Sequence, residues 1–250
     1  MKQIYSQAIG YSPLSEVDLE KMRQVVKVNR QIIDQYYSIH TNDKILAAGT
    51  GSGCEARLVH EEFQCFTLGV DLNIQKNPPD LNSSGVGFHL SNQDLSAIGL
   101  RSNAFSLIYC YHVLEHVEDH QQTLAELSRV LIPGGVLFIG FPNKKRWLAY
   151  VGTSQKATVM DKILWNLNDL KFKMQHRFEN RFGAHAGFSQ KEFTSDASKF
   201  FSKIVAVREP YLITKYPKIK RLIEIITKIG LGEVLFPSNY FICIKQSGSK

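Results

Sequence analysis

The chain has 250 residues, of which 44% are hydrophobic and 21% are charged, a balance that fits one globular domain with a sizeable core. No apolar run approaches the ~20 residues that cross a bilayer, and the segment from Met1 to Ser6 lacks the apolar stretch of a signal peptide. The four cysteines have no metal-ligand spacing and predict buried thiols in a reducing compartment. We therefore expect a cytoplasmic protein.

The net charge of +7 is distributed unevenly along the chain. Residues 1–143 carry 10 Lys and Arg against 15 Asp and Glu, whereas residues 144–250 carry 20 against 8. A basic surface of this kind favours an acidic small molecule, an anionic membrane surface or nucleic acid as a partner, although a charged stretch is most often only a solvated surface.

In chain order, the first predicted element is a helix over residues 15–37, because Ser15 and Asp18 have capping-box spacing and apolar residues recur at helical intervals. A helix is also predicted at 118–131, where Pro133-Gly134-Gly135 is expected to end it. Apolar runs predict seven strands, at 44–48, 66–70, 86–90, 106–111, 135–141, 203–208 and 239–245. Alternating strands and helices predict an α/β fold with a mostly parallel sheet that is covered on both faces.

Two segments interrupt this alternation. Residues 155–182 carry apolar side chains at helical spacing and then a basic, aromatic run from Lys171 to Phe178. Residues 217–230 place apolar side chains on one helical face and basic ones largely on another. Core packing is the usual explanation of such stripes; a substrate lid and a membrane-surface helix are the alternatives.

A glycine-rich turn follows the first predicted strand, in the run Lys44-Ile-Leu-Ala-Ala-Gly-Thr-Gly-Ser-Gly53. Its three glycines let the backbone turn sharply and allow a ligand to approach the main chain. The next residues, Cys54 to Glu62, predict a helix whose N-terminal amides face that ligand. The second strand ends near Asp71, a carboxylate suited to the two hydroxyl groups of a ribose. The pattern predicts a nucleoside-containing cofactor, and the glycine spacing disfavours a dinucleotide.

From about Ile45 to Asn143 the sequence resembles the class I S-adenosylmethionine-dependent methyltransferases, specifically the type 11 small-molecule group. The resemblance is carried by the glycine loop, Asp71, Asp94-Leu95, the run from Asn103 to Val117, and the run from Leu127 to Ile139. It implies a Rossmann-like fold: a mostly parallel seven-stranded sheet with helices on both faces and helical cap insertions. The implied single domain, 1–250, divides into an N-terminal helical lid (1–40), a cofactor-binding core (41–143) and substrate-side insertions (144–200 and 209–237).

The resemblance implies S-adenosyl-L-methionine as cofactor and S-adenosyl-L-homocysteine as product. It assigns the loop to the methionine part, Asp71 to the ribose and Asp94-Leu95 to the adenine. Ala47 departs from the family, which usually has Asp or Glu two residues before the first glycine, and Glu55 is a candidate to replace that acid. The predicted cofactor-binding residues are Gly49, Thr50, Gly51, Gly53, Asp71, Leu72, Asp94, Leu95 and Tyr111.

The candidate catalytic residues are His112, Glu115, His116 and His185. Histidine accepts a proton near neutral pH, so His112 or His116 is a candidate general base. The alternative is that Leu-Glu-His-Val only begins a helix. Some quinone-ring O-methyltransferases of the family hold a divalent metal at this turn, but His112 stands where they tend to have Glu, and no metal site is predicted.

The predicted function is methyl transfer from S-adenosylmethionine to oxygen on a small or lipid-linked acidic metabolite. The alternatives are an RNA methyltransferase, which the basic second half suggests, and a non-catalytic cofactor-binding protein, at which Ala47 hints. Nucleic acid is disfavoured because no RNA-binding module is recognisable. Peripheral membrane contact through 217–230 stays an option, and Lys144-Lys145-Arg146 is expected to be a solvated turn near the substrate.

Overall fold

The computed structural model describes residues 16–74, 87–147, 149, 158–180 and 186–247. These residues form a seven-stranded sheet with helices on both faces, which confirms the predicted fold class. The strands are β1 (Lys44–Ala48), β2 (Phe66–Asp71), β3 (Phe88–Asn92), β4 (Phe105–Tyr111), β5 (Leu131–Pro142), β6 (Lys203–Ala206) and β7 (Ser238–Ile244).

The helices follow the strands in the predicted alternation, with additional helices before β7. They are α1 (Glu16–Ile33), α2 (Cys54–Phe63), α3 (His120–Val130), α4 (Val159–Met174), α5 (Gln190–Ala197), α6 (Arg208–Lys215), α7 (Lys220–Lys228) and α8 (Gly232–Leu235). Single turns of 3₁₀ helix lie at Leu114–His116 and Pro217–Ile219. No helix of the described residues is both long and apolar enough to cross a bilayer.

The strand order β3-β2-β1-β4-β5-β7-β6 determines where a ligand can bind. Strands β1 to β5 pair in parallel, and β7 runs antiparallel between β5 and β6. The chain moves outward from β1 to β3 and then returns to place β4 on the other side of β1. The carboxyl ends of β1 and β4 therefore flank the crevice where open α/β sheets bind their ligands.

Two apolar layers enclose the sheet. On one face, α1, α2 and α6 cover the sheet with residues such as Ile33, Val59 and Tyr211. On the other face, α3 and α5 contribute residues such as Leu127 and Phe193. Burial of both sheet faces explains why the central strands are almost continuously apolar.

Three sequence-based boundaries are wrong, each for a local reason. Pro133-Gly134-Gly135 does not end α3, because β5 begins at Leu131 directly after the helix and the Pro-Gly-Gly segment lies at a register shift within β5. The predicted helix 15–37 ends at Ile33 in a turn, and its proposed cap Ser15 lies outside the described residues. The predicted strand 203–208 ends at Ala206, since Arg208 already begins α6, whose Tyr211 packs into the core.

Candidate active site

The glycine turn after β1 adopts a conformation that glycine takes readily and other residues do not. Gly49, Gly51 and Gly53 have φ angles of 71°, 55° and 89°, in the left-handed region where a Cβ introduces strain. A Cβ at Gly49 would also lie 2.3 Å from both Cγ atoms of Val113, which follows β4. The turn therefore presents bare backbone between the ends of β1 and β4.

Asp71 and Thr50 hold this turn from two sides. The amide of Gly51 donates to Oδ2 of Asp71 at 2.8 Å, and the amide of Asn73 donates to Oδ1 of the same side chain at 3.1 Å. Thr50 is 6% exposed, and its Oγ1 accepts a hydrogen bond from the amide of Ala56 at 3.2 Å. The Asp71 carboxylate consequently lies at the rim of the turn, where a ligand hydroxyl group can reach it.

The N-terminus of α2 begins directly after the turn. Gly53 occupies the N-cap position of this ten-residue helix and provides no side-chain cap. The partial positive charge of a helix N-terminus, with its unpaired amides, therefore faces the glycine turn and favours a polar or anionic ligand group there.

The residues assigned to adenine and ribose differ in their surroundings. Leu72 is 67% exposed, and Asp94 is also exposed. The amide and hydroxyl group of Ser96 donate to Oδ1 of Asp94 at 2.8 and 2.7 Å and lower the pKa of that carboxyl group. Leu95, by contrast, is buried in the core cluster beside Ile98. The assignment of these side chains to the adenosine part stays a prediction.

Three hydrogen-bonded polar side chains lie near Ala47. Ala47 pairs with Tyr109 in the neighbouring strand, on the face of the sheet that α2 covers. The Tyr109 hydroxyl group donates to Oε1 of Glu55 over a long 3.4 Å, and Nδ2 of Asn29 donates to the same hydroxyl group at 2.5 Å. Three side chains from α1, α2 and β4 therefore meet beneath the glycine turn.

His112 and Glu115 form a pair where β4 ends. Nδ1 of His112 lies 3.3 Å from Oε1 of Glu115, and Glu115 is only 6% exposed, with no hydrogen-bond partner for its Oε2 among the described residues. His112 has a φ of 56°, and its amide donates to the carbonyl of Gly140 in β5 at 2.7 Å. A non-glycine residue held in this conformation is typical of functional sites. The carboxylate is placed to orient the imidazole and to stabilise its protonated form.

His116 is the second imidazole near this carboxylate, with its Nε2 3.9 Å from Oε1 of Glu115. It faces a cavity of about 650 Å³ whose lining includes Glu115, His116, Glu118, Lys144, Glu192 and Asp196. No group of three or more His, Cys, Asp or Glu side chains within the described ranges is arranged to hold a metal ion. His185, the fourth catalytic candidate, lies outside the described residues.

Comparison with known proteins identifies the part of the chain that carries this site. The family model described as a methyltransferase domain, of type 11, matches residues 46–139. The ubiquinone biosynthesis O-methyltransferase of Coxiella burnetii is 26% identical over 125 residues, which cover 48% of this chain and 52% of that protein. The chain thus spans about half the length of the curated relatives that it matches.

Solved structures agree on the fold. Haemonchus contortus phosphoethanolamine N-methyltransferase 2, in complex with S-adenosyl-L-methionine, matches with a TM-score of 0.58 and 14% identity, over 97% of this chain and 60% of that one. A Galdieria sulphuraria protein, provisionally assigned as a sarcosine dimethylglycine methyltransferase, matches with a TM-score of 0.57 and 15% identity, over 90% and 86%. Residues 46–139 thus match a methyltransferase domain, and the described residues have the fold of these methyltransferase structures.

Three tyrosines extend the methyltransferase site away from the glycine turn. The hydroxyl groups of Tyr111 and Tyr211 are 3.2 Å apart, and the rings of Tyr211 and Tyr240 stack at 3.6 Å. The Tyr111 ring meets the His112 ring edge-on at 4.6 Å. Burial raises the pKa of the Tyr111 hydroxyl group, as do the neighbouring Tyr240 and Tyr211, so it stays protonated and able to donate. Of the three, sequence reasoning found only Tyr111, because α6 and β7 carry no local motif.

The basic turn after β5 differs from the solvated turn that the sequence predicts. Arg146 is not solvated: it is 3% exposed, and its Nη2 lies 2.9 Å from Oδ2 of the buried Asp169 in α4. Lys144 and Lys145 do reach the surface, where they pair with Glu192 at 2.8 Å and with Glu233 at 2.7 Å. Arg146 therefore attaches α4 to the turn that follows β5. The charges of the turn are mostly paired.

Proposed function

We propose that the protein transfers the methyl group of S-adenosylmethionine to an oxygen atom of a small or lipid-linked acidic metabolite. The His112–Glu115 pair at the end of β4 carries this proposal. A hydroxyl nucleophile must lose a proton during the reaction, and an imidazole oriented by a buried carboxylate is suited to accept it. Amine acceptors that react as free bases need such a group less.

The proposed step is a direct displacement. An oxygen lone pair of the acceptor attacks the methyl carbon, the carbon–sulfur bond breaks, and its electron pair remains on sulfur to give S-adenosylhomocysteine. His112 takes the proton of the acceptor hydroxyl group, and Glu115 stabilises the resulting imidazolium. Collinear placement and exclusion of water contribute most of the remaining rate acceleration; the half-buried Tyr111 ring beside His112 supports that exclusion.

The acceptor class is inferred from the relatives and from the charges beyond His116. The curated relatives act in ubiquinone biosynthesis as O-methyltransferases, according to their names, which supports an oxygen acceptor. A second cavity, of about 480 Å³, shares Lys144 and Glu179 with the first and is also lined by Lys145, Lys173 and His176. An acidic group of the acceptor would bind beside Lys173 and His176, since Lys144 and Lys145 already pair with Glu192 and Glu233.

Peripheral membrane contact is proposed through the segment 217–230. Ile223 of α7 is buried and Ile226 packs against the core, so part of the apolar stripe serves ordinary packing. A second set of apolar side chains faces solvent: Ile219, Leu222, Ile225 and Ile229. Lys218, Lys220, Arg221 and Lys228 lie in the same segment. Exposed apolar side chains flanked by cations are typical of a helix that lies on an anionic membrane surface.

Helix α4 supports the same proposal because it is attached to the core by its polar side. Asp169 pairs with Arg146, and Asn166 exchanges hydrogen bonds with the backbone of Ala149 at 2.8 and 3.0 Å. Eight apolar side chains of α4 are between 42% and 76% exposed: Val159, Met160, Ile163, Leu164, Trp165, Leu167, Leu170 and Met174. A contiguous exposed apolar face of this kind marks an interaction surface. A membrane surface at the cytoplasmic side fits both helices.

The reaction is tested with methyl-labelled cofactor and fractionated cell extract. We expect label in the organic phase, resistant to ribonuclease, and retained after mild base if the product is a methyl ether. Asp71→Ala is the control that should abolish transfer. Label that ribonuclease releases would favour the RNA methyltransferase, and cofactor binding without transfer to any fraction would favour a non-catalytic protein.

Membrane contact is tested by flotation with phosphatidylcholine vesicles, with and without phosphatidylglycerol. We expect co-flotation only with the anionic vesicles, and an approximately tenfold loss for Leu222→Ser/Ile225→Ser, which removes two insertable side chains. Val17→Ser, at an exposed apolar position of α1, is the matched control. Absence of co-flotation with the anionic vesicles would remove the membrane contact and leave the methyl-transfer proposal untouched.

A further inference from the structure

The hydrogen-bonded side chains of the buried Asn29 and Tyr109 and the half-buried Glu55 contain acceptors that the described residues leave without a short hydrogen bond. Asn29 is fully buried in α1, and its Oδ1 has no hydrogen-bond partner among the described residues. Glu55 receives only the long 3.4 Å bond from the Tyr109 hydroxyl group. Buried polar atoms are nearly always paired, so the unpaired Oδ1 of Asn29 beside this hydroxyl group indicates a missing donor.

A cation beside the Glu55 carboxyl group would reduce the energetic cost of keeping its charged form in this environment. Burial raises its pKa to about 7, and the hydrogen bond from Tyr109 offsets only part of that effect. Among the described residues no cation pairs with it: Arg23 and Arg57 contact Glu61 on the outer side of α2 instead. A carboxylate held in this way gains most from a ligand that brings both positive charge and N–H donors.

The position of these three side chains indicates which part of the cofactor would reach them. Glu55 is the second residue of α2, two residues after Gly53, and Tyr109 belongs to β4. Asp71 lies on the other side of the turn, at the end of β2. A ligand that places its ribose at Asp71 and extends across the turn toward β4 therefore brings its opposite end to Glu55. In S-adenosylmethionine that end carries an α-ammonium group with three N–H donors.

We propose that Glu55 and Asn29 form the binding site for the α-ammonium group of S-adenosylmethionine, with Tyr109 holding the Glu55 carboxylate in place. One N–H group of the ammonium donates a hydrogen bond to a Glu55 oxygen, and another donates to Oδ1 of Asn29. Ala47 is tolerated at the end of β1 because the acid comes from α2. This site depends on the cofactor alone, so it stands or falls independently of the acceptor proposed above.

The test compares two ligands that differ only at this end. S-adenosylhomocysteine carries the amino-acid part, and 5′-methylthioadenosine has the same adenosine and sulfur without it. We expect Glu55→Gln to weaken S-adenosylhomocysteine binding about 10- to 100-fold, from the loss of a charge-assisted hydrogen bond, and to leave 5′-methylthioadenosine binding unchanged. Glu61→Gln, on the exposed side of the same helix, should change neither affinity. Isothermal titration calorimetry measures all of them.

Asn29→Leu, which keeps the branching of the side chain and removes the amide, tests the second acceptor. We expect a loss of about tenfold or less for S-adenosylhomocysteine and none for 5′-methylthioadenosine, since the bond is to a neutral acceptor. Equal losses for the two ligands in either variant, or no loss in Glu55→Gln, would overturn the proposal. Binding is measured without an acceptor, so failure here is distinct from failure of the proposed reaction.

Discussion

The proposed cofactor side of the site, around β1 and β2, and its proposed acceptor side, around β4 to β7, are formed by different parts of the polypeptide. Around β1 and β2 the site consists of backbone: three glycines with positive φ and the amides that start α2. Around β4 to β7 it consists of side chains from distant segments, such as Tyr111, Tyr211 and Tyr240. The glycine turn that carries the family motif is thus local in sequence, whereas the tyrosine cluster is assembled by tertiary contacts.

The largest effect is expected on the cofactor side, from Gly49→Ala. The added Cβ meets Val113 at 2.3 Å in a left-handed conformation, so the turn must shift. We expect cofactor affinity to fall by about 1000-fold or more, roughly 4 kcal/mol, as measured by calorimetry.

Gly230→Ala is the matched control for that variant. Gly230 also has a positive φ, 76°, but nothing lies within 4 Å of its added Cβ. It should cost about 1 kcal/mol of stability and leave cofactor binding unchanged. If Gly49→Ala binds the cofactor normally, the turn is not the binding surface and the contrast between the two sides fails.

On the acceptor side, Asp169→Asn should detach α4. The substitution leaves the Arg146 guanidinium buried without its carboxylate, which typically costs about 3–5 kcal/mol. Because α4 is attached through polar contacts, we expect its amides to exchange rapidly with deuterium while β1 and β4 stay protected. Asp161→Asn, at the exposed start of the same helix, should have a much smaller effect. Unchanged protection of α4 would show that apolar packing holds it.

Glu115→Gln tests the His112–Glu115 pair, which lies at the end of β4, between the two sides. The amide keeps the shape of the carboxylate but cannot stabilise a protonated His112, so we expect kcat to fall about 100-fold at unchanged cofactor affinity. His89→Gln, at the far edge of the sheet in β3, should behave like the wild type. Loss of cofactor affinity in Glu115→Gln would mean that Glu115 is structural.

The contrast also explains what the sequence could and could not predict. The glycine turn, Asp71 and the strands β1 to β5 follow from short motifs and apolar runs, so they were predicted within a few residues, apart from the start of β5. The Arg146–Asp169 pair joins residues 23 positions apart. No local pattern indicates such a contact, so the prediction of a solvated turn was wrong for Arg146. Helix α6 was missed because its start, Val207-Arg208, continues the apolar run of β6. For α4 the sequence left core packing, a lid and a membrane-surface helix open, since an apolar helical stripe does not say whether it faces the core or solvent.

The smallest predicted effect is a change of stability with pH at Glu55, and its sign is unusual. Burial raises the pKa of Glu55 from 4.5 to about 7 in the folded protein. Between these values the folded state holds the proton and the unfolded chain does not, so the free energy of unfolding decreases as pH rises through this window. Glu55→Gln removes the penalty and should make the cofactor-free protein about 1–2 kcal/mol more stable at pH 8, with little change at pH 4.5.

Glu61→Gln should give the opposite sign. Burial raises the pKa of Glu61, but the hydrogen bonds and charges of Arg23 and Arg57 outweigh it and lower the pKa, so the carboxylate stabilises the folded state above pH 4.5. Its removal should cost a few tenths of a kcal/mol at pH 8, the usual value of exposed pairs (about 0.2–1 kcal/mol). Thermal unfolding at the two pH values measures both variants. A protein that becomes more stable when Glu55 is neutralised, yet binds S-adenosylhomocysteine less tightly, retains a destabilising carboxylate for the ammonium of its cofactor; equal destabilisation in both variants would instead make Glu55 an ordinary structural acid.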